Sequence, residues 1–217
     1  LSGILVLDFT TLLPGPLATL MLAEAGAEVI KIERPGGEDM RHYEPRFDSE
    51  SAMFTLLNRG KTSLVLDLKN DADRRKLEPL LARADVLVEQ FRPGVMARLG
   101  LGFDAVAAIN PKLVYCSITG YGQSGPRADE AGHDLNYLGN TGLLALNPGP
   151  PDQPVVPPAL VADIGGGTLP AMMNILLGLR QRDQTGRGMH IDIAMTDAMF
   201  TFATHALASG QATGQFP

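Results

Sequence analysis

Cysteine and basic residues are both scarce in this sequence of 217 residues. The one cysteine, Cys116, cannot form a disulfide within the chain, and it excludes a zinc site built from several thiolates. Lysine and arginine total 18 against 24 acidic residues, so the net charge is −6. Nucleic-acid-binding domains usually carry a basic surplus. We therefore expect no metal centre and no nucleic-acid partner, and we predict that Cys116 is an ordinary core residue.

Long uninterrupted apolar runs are also missing. The most apolar stretch, residues 160–179, contains Asp163, three glycines and Pro170, whereas a membrane-spanning helix needs about 20 mostly apolar residues. No secretory signal is visible after Leu1. We therefore expect a cytoplasmic protein with no membrane partner.

The residues that are present indicate a globular α/β domain. Hydrophobic residues make up 45% of the chain and charged residues 19%, which is enough apolar material for a core. Residues 4–9 are an apolar run of strand length, residues 17–25 favour a helix that stops at Gly26, and residues 27–33 alternate like a strand. Strand, helix and strand in this order predict a βαβ unit.

The alternation of predicted strands and helices continues along most of the chain. Further strands are predicted at 62–68, 85–91, 113–118 and 189–195, and helices at 71–84, 95–99, 104–109, 169–182 and from 196 or 197 to 208. The helix at 169–182 is apolar nearly all round, which predicts that it is buried. Segment 36–58 is polar and irregular, and it is predicted to be a loop or a short helix that carries Met53, Phe54, Leu56 and Leu57. Segment 147–158 is a proline-rich connection. The pattern predicts a Rossmann-like, mostly parallel sheet with flanking helices.

His133 is the first candidate for chemistry. It follows a glycine-rich loop, residues 119–131, at the predicted start of a helix, and loops of this kind often carry functional residues. Imidazole is suited to act as a general base at neutral pH. The alternative is a surface histidine beside a helix-capping Asp134.

Asp163 is the second candidate, because a carboxylate inside an apolar run has to be desolvated or capped. Glycines 165–167 follow it, and they would let a substrate approach the backbone while N–H groups hold an oxyanion. The alternative is that Asp163 caps the next helix. The three glycines do not form a dinucleotide-binding fingerprint, because no strand, GxGxxG and helix surround them.

Four basic residues come directly after predicted strands or shortly beyond them: Arg34, Lys69, Arg92 and Arg98. The carboxyl ends of parallel strands form the ligand crevice of an open α/β sheet, so these cations would suit phosphates. The alternative for each of them is an ordinary solvent-facing charge. We find no P-loop, zinc-ligand spacing or nucleophile elbow.

Several stretches together resemble a known family, the family III CoA-transferases and α-methylacyl-CoA racemases. The stretches run in order along essentially the whole chain: GILVLDFTTLLPGPLATLMLAEAGAEVIKIERPGG, NRGKTSLVLDLK, VLVEQFRPGVMARLGLG, YCSITGYGQSGP, GHDLNYL and DIGGG. The resemblance implies a Rossmann-like large domain, a smaller second domain and an interlocked homodimer. Family members are longer than this chain. We therefore expect a CoA-binding large domain at 1–195, a helix at 196–217 that leads toward a second domain, and no second domain in this chain.

The resemblance also implies which residues act. His133 and Asp163 fall on the catalytic positions of the racemase branch, where they move the α-proton. CoA itself is part of the substrate, so no separate cofactor is expected. The positions that touch CoA in the family carry here Arg34, Leu66, Lys69, Gln90, Arg92, Arg98, Gly132, Asn136 and Tyr137.

The sequence favours racemisation of 2-methylacyl-CoA thioesters by removal and return of the α-proton. The first alternative is CoA transfer from an acyl-CoA to a carboxylic acid, in which Asp163 is the nucleophile. Segment 36–58 looks more like the transferases and supports that alternative. A third possibility is a CoA-binding fragment without turnover. His133 separates the two reactions, because racemisation requires a proton-transfer residue at this position and carboxylate attack does not.

Overall fold

The computed structural model describes residues 1–150 and 152–215. Its strands are β1 (Leu5–Phe9), β2 (Glu28–Glu33), β3 (Arg46–Phe47), β4 (Glu50–Ser51), β5 (Thr62–Val65), β6 (Val86–Glu89), β7 (Val114–Thr119) and β8 (Met189–Ala194). Its α-helices are α1 (Pro14–Glu24), α2 (Ala52–Asn58), α3 (Asp71–Leu81), α4 (Val95–Arg98), α5 (Phe103–Ile109), α6 (Asp134–Asn140), α7 (Leu169–Thr185), α8 (Met195–Phe202) and α9 (Thr204–Thr213). Two short 3₁₀ helices, Asp39–His42 and Leu143–Leu146, and a π-helix, Ala162–Thr168, complete the elements.

Six strands form one parallel sheet in the order β5-β2-β1-β6-β7-β8. The central strands β1, β6 and β7 are buried along their whole length, because parallel sheets are covered on both faces. This explains why they read as continuous apolar runs in the sequence. The predicted α/β sheet is therefore confirmed, and strand β1 lies at its centre.

Successive side chains of each strand point to opposite faces of the sheet, and this divides the core in two. Val6, Val88 and Cys116 belong to a cluster with residues of α1, α7 and α8. Leu7, Leu87 and Tyr115 belong to the cluster on the other face, with residues of α3, α4 and α5. Cys116 is fully buried, as the sequence predicted.

Two elements differ from the sequence prediction. Helix α7 buries only one side, through residues such as Ile175 and Leu179, while Leu177 is 60% exposed and Met173 is 55% exposed. The prediction of a wholly buried helix is wrong, because only one face of α7 meets the sheet. Segment 36–58 contains a 3₁₀ helix, the β3–β4 hairpin and α2. Helix α2 confirms the predicted short helix, whereas the 3₁₀ helix and the hairpin were not predicted.

The last helices continue from the sheet without a break. Helix α8 follows β8 directly, and its Met195 and Met199 are buried in the first core cluster. The division at residue 195 therefore stays a prediction, and Phe216 and Pro217 lie outside the described residues, as does Pro151 in the proline-rich connection. Within residues 1–150 and 152–215, no helix has both the length and the apolar character needed to cross a membrane.

Candidate active site

A pocket of about 240 Å³ lies beside the carboxyl ends of β6 and β7. The turn before α1 closes one side, and the loop that leads to α6 closes another. Its lining includes both candidate catalytic residues and four of the predicted CoA contacts: His133, Asp163, Gln90, Arg92, Gly132 and Tyr137. Residues separated by up to 73 positions thus meet at the sheet edge where open α/β folds bind ligands.

Asp163 reaches this pocket from the π-helix that precedes α7. Its backbone N–H donates to Oδ1 of Asp134 at 2.9 Å, and its side chain is partly buried. Helix α7 begins at Leu169, with Thr168 in the capping position. The π-helix continues directly into α7, and its own capping position is Val161. The alternative in which Asp163 caps the helix is therefore wrong, because Asp163 lies inside the first turn and other residues hold both capping positions.

The surroundings of Asp163 disfavour its charged form. Burial, and after it the negative charge of Asp134, raise the pKa of Asp163 to about 6, although the neighbouring His133 acts in the opposite direction. A carboxyl group with this pKa is poised near neutral pH, where it can act as a base, an acid or a nucleophile.

His133 occupies the position just before α6, in extended backbone conformation. Its backbone N–H donates to Oδ1 of Asn136 at 2.9 Å, and the residue is exposed at the pocket. Asp134, by contrast, is only 7% exposed and accepts the N–H of Asp163. The exposure of His133 agrees with the alternative of a surface histidine, whereas Asp134 is the first residue of α6 and not its cap, because His133 occupies the capping position.

Glycines 165–167 have a packing role. A Cβ atom on Gly165 would lie 2.6 Å from the Phe202 ring, one on Gly166 would lie 2.6 Å from the Met195 carbonyl oxygen, and one on Gly167 would lie 2.9 Å from Pro14. Protein atoms fill the space beside all three glycines. The expectation that they admit a substrate is therefore wrong, since they let the π-helix pack against α8 and the turn before α1.

A second, more apolar pocket of about 530 Å³ adjoins the first, and Leu12 and Phe91 line both. Three predicted CoA contacts line it, namely Arg34, Leu66 and Lys69. Arg34 is exposed and pairs with Asp39 at the rim. The two neighbouring pockets provide a polar compartment with the candidate catalytic groups and an apolar one with cations at its edge.

The remaining predicted contacts lie apart from these pockets. The Asn136 side chain accepts a hydrogen bond from the His133 backbone N–H, and Asn136 lines neither pocket. Arg98 lines neither pocket. Its guanidinium lies beside Gly94, so that a Cβ atom built on Gly94 would be 3.2 Å from Arg98 Nη1. Their roles in CoA binding stay predictions.

A buried charge network supports the turn before α1. The Lys61 ammonium donates to Asp8 Oδ2 at 3.0 Å, to the Pro16 carbonyl at 2.9 Å and to Thr19 Oγ1 at 2.8 Å. Nothing in the sequence singled out this network, because its members lie up to 53 positions apart. The first turn of α1 also donates the Gly15 N–H to Oε1 of Gln90 at 3.0 Å, which ties it to the first pocket.

The sequence model of CoA-transferase family III matches residues 1–217. The chain belongs to CoA-transferase family III. The resemblance inferred from the sequence is therefore confirmed at the level of the family.

Curated relatives of this family member include both kinds of enzyme. It is 42% identical to an acetyl-CoA:oxalate CoA-transferase of Acetobacter aceti, with 100% of this chain and 56% of the relative covered. It is 41% identical to the succinyl-CoA:glutarate CoA-transferase of Mus musculus, with 96% and 48% covered. The human alpha-methylacyl-CoA racemase is 40% identical, with 91% and 48% covered. The chain spans about half the length of these relatives, and they do not favour racemisation over CoA transfer.

Solved structures of the family share the fold. A CAIB/BAIF family protein from Brucella suis superposes with a TM-score of 0.94 at 35% identity, over 100% of this chain and 58% of that one. The protein Rv3272 from Mycobacterium tuberculosis gives a TM-score of 0.89 at 34% identity, over 98% and 59%. The chain thus spans somewhat more than half of each of these solved chains.

Proposed function

We propose that this chain binds acyl-CoA thioesters and transfers CoA from them to a carboxylic acid, with Asp163 as the nucleophile. The observation that carries acyl-CoA chemistry is the partly buried Asp163 carboxyl group in the pocket, with a pKa of about 6. The similarity to the oxalate and glutarate CoA-transferases supports transfer as the reaction. In this proposal the acyl-thioester end of the substrate lies in the first pocket, and the nucleotide end lies toward the second.

The reaction proceeds by covalent catalysis. An Asp163 oxygen attacks the thioester carbonyl, the C–S bond breaks, and a mixed anhydride and the CoA thiolate result. The thiolate then attacks the carbonyl of Asp163, which forms an aspartyl-CoA thioester and releases the first acid. The carboxylate of the acceptor acid repeats the sequence in reverse, so CoA leaves on the new acid and Asp163 is regenerated.

A raised pKa makes the Asp163 carboxylate a stronger nucleophile, provided that the group is ionised. Oxygen nucleophiles become stronger with basicity, while a protonated carboxyl group cannot attack. Because Asp163 has a pKa of about 6, the ionised fraction increases between pH 5 and pH 7. We therefore predict that kcat/KM rises across this interval with a midpoint near pH 6. A flat profile over that range in a steady-state transfer assay would contradict the assignment.

Racemisation is the second candidate, and a specific observation favours it. His133 and Asp163 line the same pocket, and the charge of His133 influences Asp163. The two groups are of suitable types to remove the α-proton from one face of the thioester and to return it to the other. The human racemase at 40% identity supports this reading.

One experiment separates the two reactions. The protein is incubated with a 2-methylacyl-CoA in D₂O, with and without an added carboxylic acid such as oxalate or succinate. Transfer gives a new acyl-CoA only when the acid is present, and hydroxylamine traps the activated carboxyl group as a mass change on the peptide that contains Asp163. Racemisation instead gives α-deuterium without any acid.

Two variants and a control sharpen the result. Asp163→Asn is expected to abolish either activity. His133→Ala is expected to lower α-exchange by about 10² to 10⁴, the usual loss for a general base, and to leave transfer within about tenfold. His205→Ala removes an exposed histidine on α9 and should change neither. Undiminished transfer by Asp163→Asn would overturn the proposed function.

A further inference from the structure

The ring of Tyr137 is wedged between two glycines that flank the candidate active site. A Cβ on Gly120, just after β7, would lie 2.6 Å from ring atom Cε1 of Tyr137, and a Cβ on Gly132 would also lie 2.6 Å from it. Real Cβ contacts do not approach so closely, so both positions require glycine for as long as the ring stays there. The ring therefore fills the space between the end of β7 and the turn that carries His133.

The Tyr137 hydroxyl fixes the same turn by a hydrogen bond. It donates to the Gly132 carbonyl oxygen at 2.6 Å, one residue before His133. Burial, together with the negative charge of Asp163, raises the pKa of Tyr137 to about 12. The hydroxyl consequently keeps its proton at neutral pH and remains a donor to Gly132.

Tyr121 holds the ring from its other side. The two tyrosine rings pack edge to face, with centroids 5.4 Å apart at 81°. The Tyr121 oxygen accepts from Asn140 Nδ2 at 2.8 Å and from Arg127 at 3.2 Å, and the Arg127 guanidinium lies 4.3 Å from the centre of the Tyr121 ring. The glycine-rich loop is thereby fastened to α6.

We infer that Tyr137 is a positioning residue, which holds the Gly132–His133 turn at the distance from Asp163 that removal and return of the α-proton require. The inference rests on the proposed acyl-CoA chemistry, and it assigns to Tyr137 a role beyond the predicted CoA contact. A displacement of about 1 Å in a catalytic group commonly costs about 10²-fold in rate. Loss of the hydroxyl should therefore lower the kcat of α-exchange, which depends on His133, and leave ground-state binding nearly unchanged.

Tyr115 provides a matched control for this test. It is also a buried tyrosine whose hydroxyl donates to a backbone carbonyl, that of Leu101 at 3.0 Å, and it does not line the first pocket. Tyr137→Phe and Tyr115→Phe remove the same atom and the same kind of bond. A merely structural hydroxyl would affect melting in both variants and kcat in neither.

The test combines kinetics with hydrogen–deuterium exchange on the purified protein. For Tyr137→Phe we expect the kcat of α-exchange to fall by about 10- to 100-fold and the kcat of CoA transfer to stay within about tenfold, as in His133→Ala. KM for the acyl-CoA should stay within about twofold, and the backbone amides 131–136 should exchange with D₂O at least about tenfold faster. Tyr115→Phe should match the wild type in each of these measurements. Gly120→Ala, which displaces the ring but keeps the hydroxyl, should resemble Tyr137→Phe.

Two results would overturn the inference. One is an unchanged kcat of α-exchange together with unchanged amide exchange in Tyr137→Phe, and the other is a raised KM at unchanged kcat, which indicates direct substrate contact. A wild-type protein without transfer or α-exchange would refute the proposed function instead. In any wild-type protein without α-exchange, the exchange of amides 131–136 decides whether Tyr137 fixes the turn.

Discussion

Replacing Asp163 with asparagine should stabilise the protein at neutral pH. The pKa of Asp163 is about 6 instead of the ordinary 3.8, chiefly because of burial and also because of Asp134. At about 1.4 kcal/mol for each pH unit, this difference corresponds to about 3 kcal/mol. The side chain is only partly buried, and solvent screening reduces the figure to about 1–2 kcal/mol. Asparagine keeps the shape of the side chain and removes this cost.

The sign of the pH dependence follows from proton linkage. Between about pH 4 and pH 6 the folded state holds the Asp163 proton more tightly than the unfolded state does, so wild-type stability falls as pH rises through this interval. The free energy of unfolding of wild type and Asp163→Asn is measured by urea titration at pH 4, 5, 6 and 7. The advantage of the variant should grow by about 1–2 kcal/mol from pH 4 to pH 7.

Glu33→Gln provides a comparison of opposite sign. Burial pushes the pKa of Glu33 upward, but hydrogen bonds from Arg41 and Ser63 outweigh it and lower the pKa to about 2. The ionised Glu33 therefore stabilises the fold above about pH 4.5, and this contribution is lost as pH falls toward 2. Glu33→Gln should be less stable than the wild type at pH 7, with a smaller deficit at pH 3. A pH-independent difference for Asp163→Asn, measured alongside this trend, would refute the reasoning about Asp163.

The remaining predictions concern the charged groups around the pockets. Lys61→Met leaves Asp8 buried without its ammonium partner, and it should lower the free energy of unfolding by about 3–5 kcal/mol in a urea titration; a loss below about 1 kcal/mol would show that Asp8 finds another partner. Arg34→Gln and Arg92→Gln should each weaken CoA binding and reduce its dependence on salt, as measured by calorimetry at two ionic strengths. Unchanged affinity in both variants would remove these arginines from the CoA site.

Much of the fold could be predicted because buried parallel strands leave a plain signal. Residues 4–9, 85–91 and 113–118 are apolar runs bounded by polar or turn residues, and each contains a strand of the sheet. The burial of α7 could not be predicted in this way. An apolar helix in sequence does not reveal which of its faces meets the sheet, and Leu177 is apolar and yet 60% exposed.

The residues of the candidate site could be predicted from their chemical types, but their contacts with one another could not. His133 and Asp163 stand out because imidazole and an isolated carboxylate in an apolar segment are chemically unusual. The sequence suggested Asp134 only as a helix cap, since its hydrogen bond with the Asp163 N–H spans 29 residues and depends on the fold. The prediction that glycines 165–167 admit a substrate was wrong for a related reason. A sequence does not tell whether the space beside a glycine is filled by a ligand or by protein.

The pKa of Asp163 does not choose between the two reactions, whereas His133 does. A carboxyl group with a pKa of about 6 is largely ionised at pH 7 and can attack a thioester, and it is also basic enough to accept and return a proton. The same burial thus serves either reaction. Racemisation needs in addition a second proton-transfer group whose position is fixed. His133 is exposed on a turn that Tyr137 and two glycines hold in place, so the effect of Tyr137→Phe on α-exchange relative to transfer reports how far each reaction depends on that position.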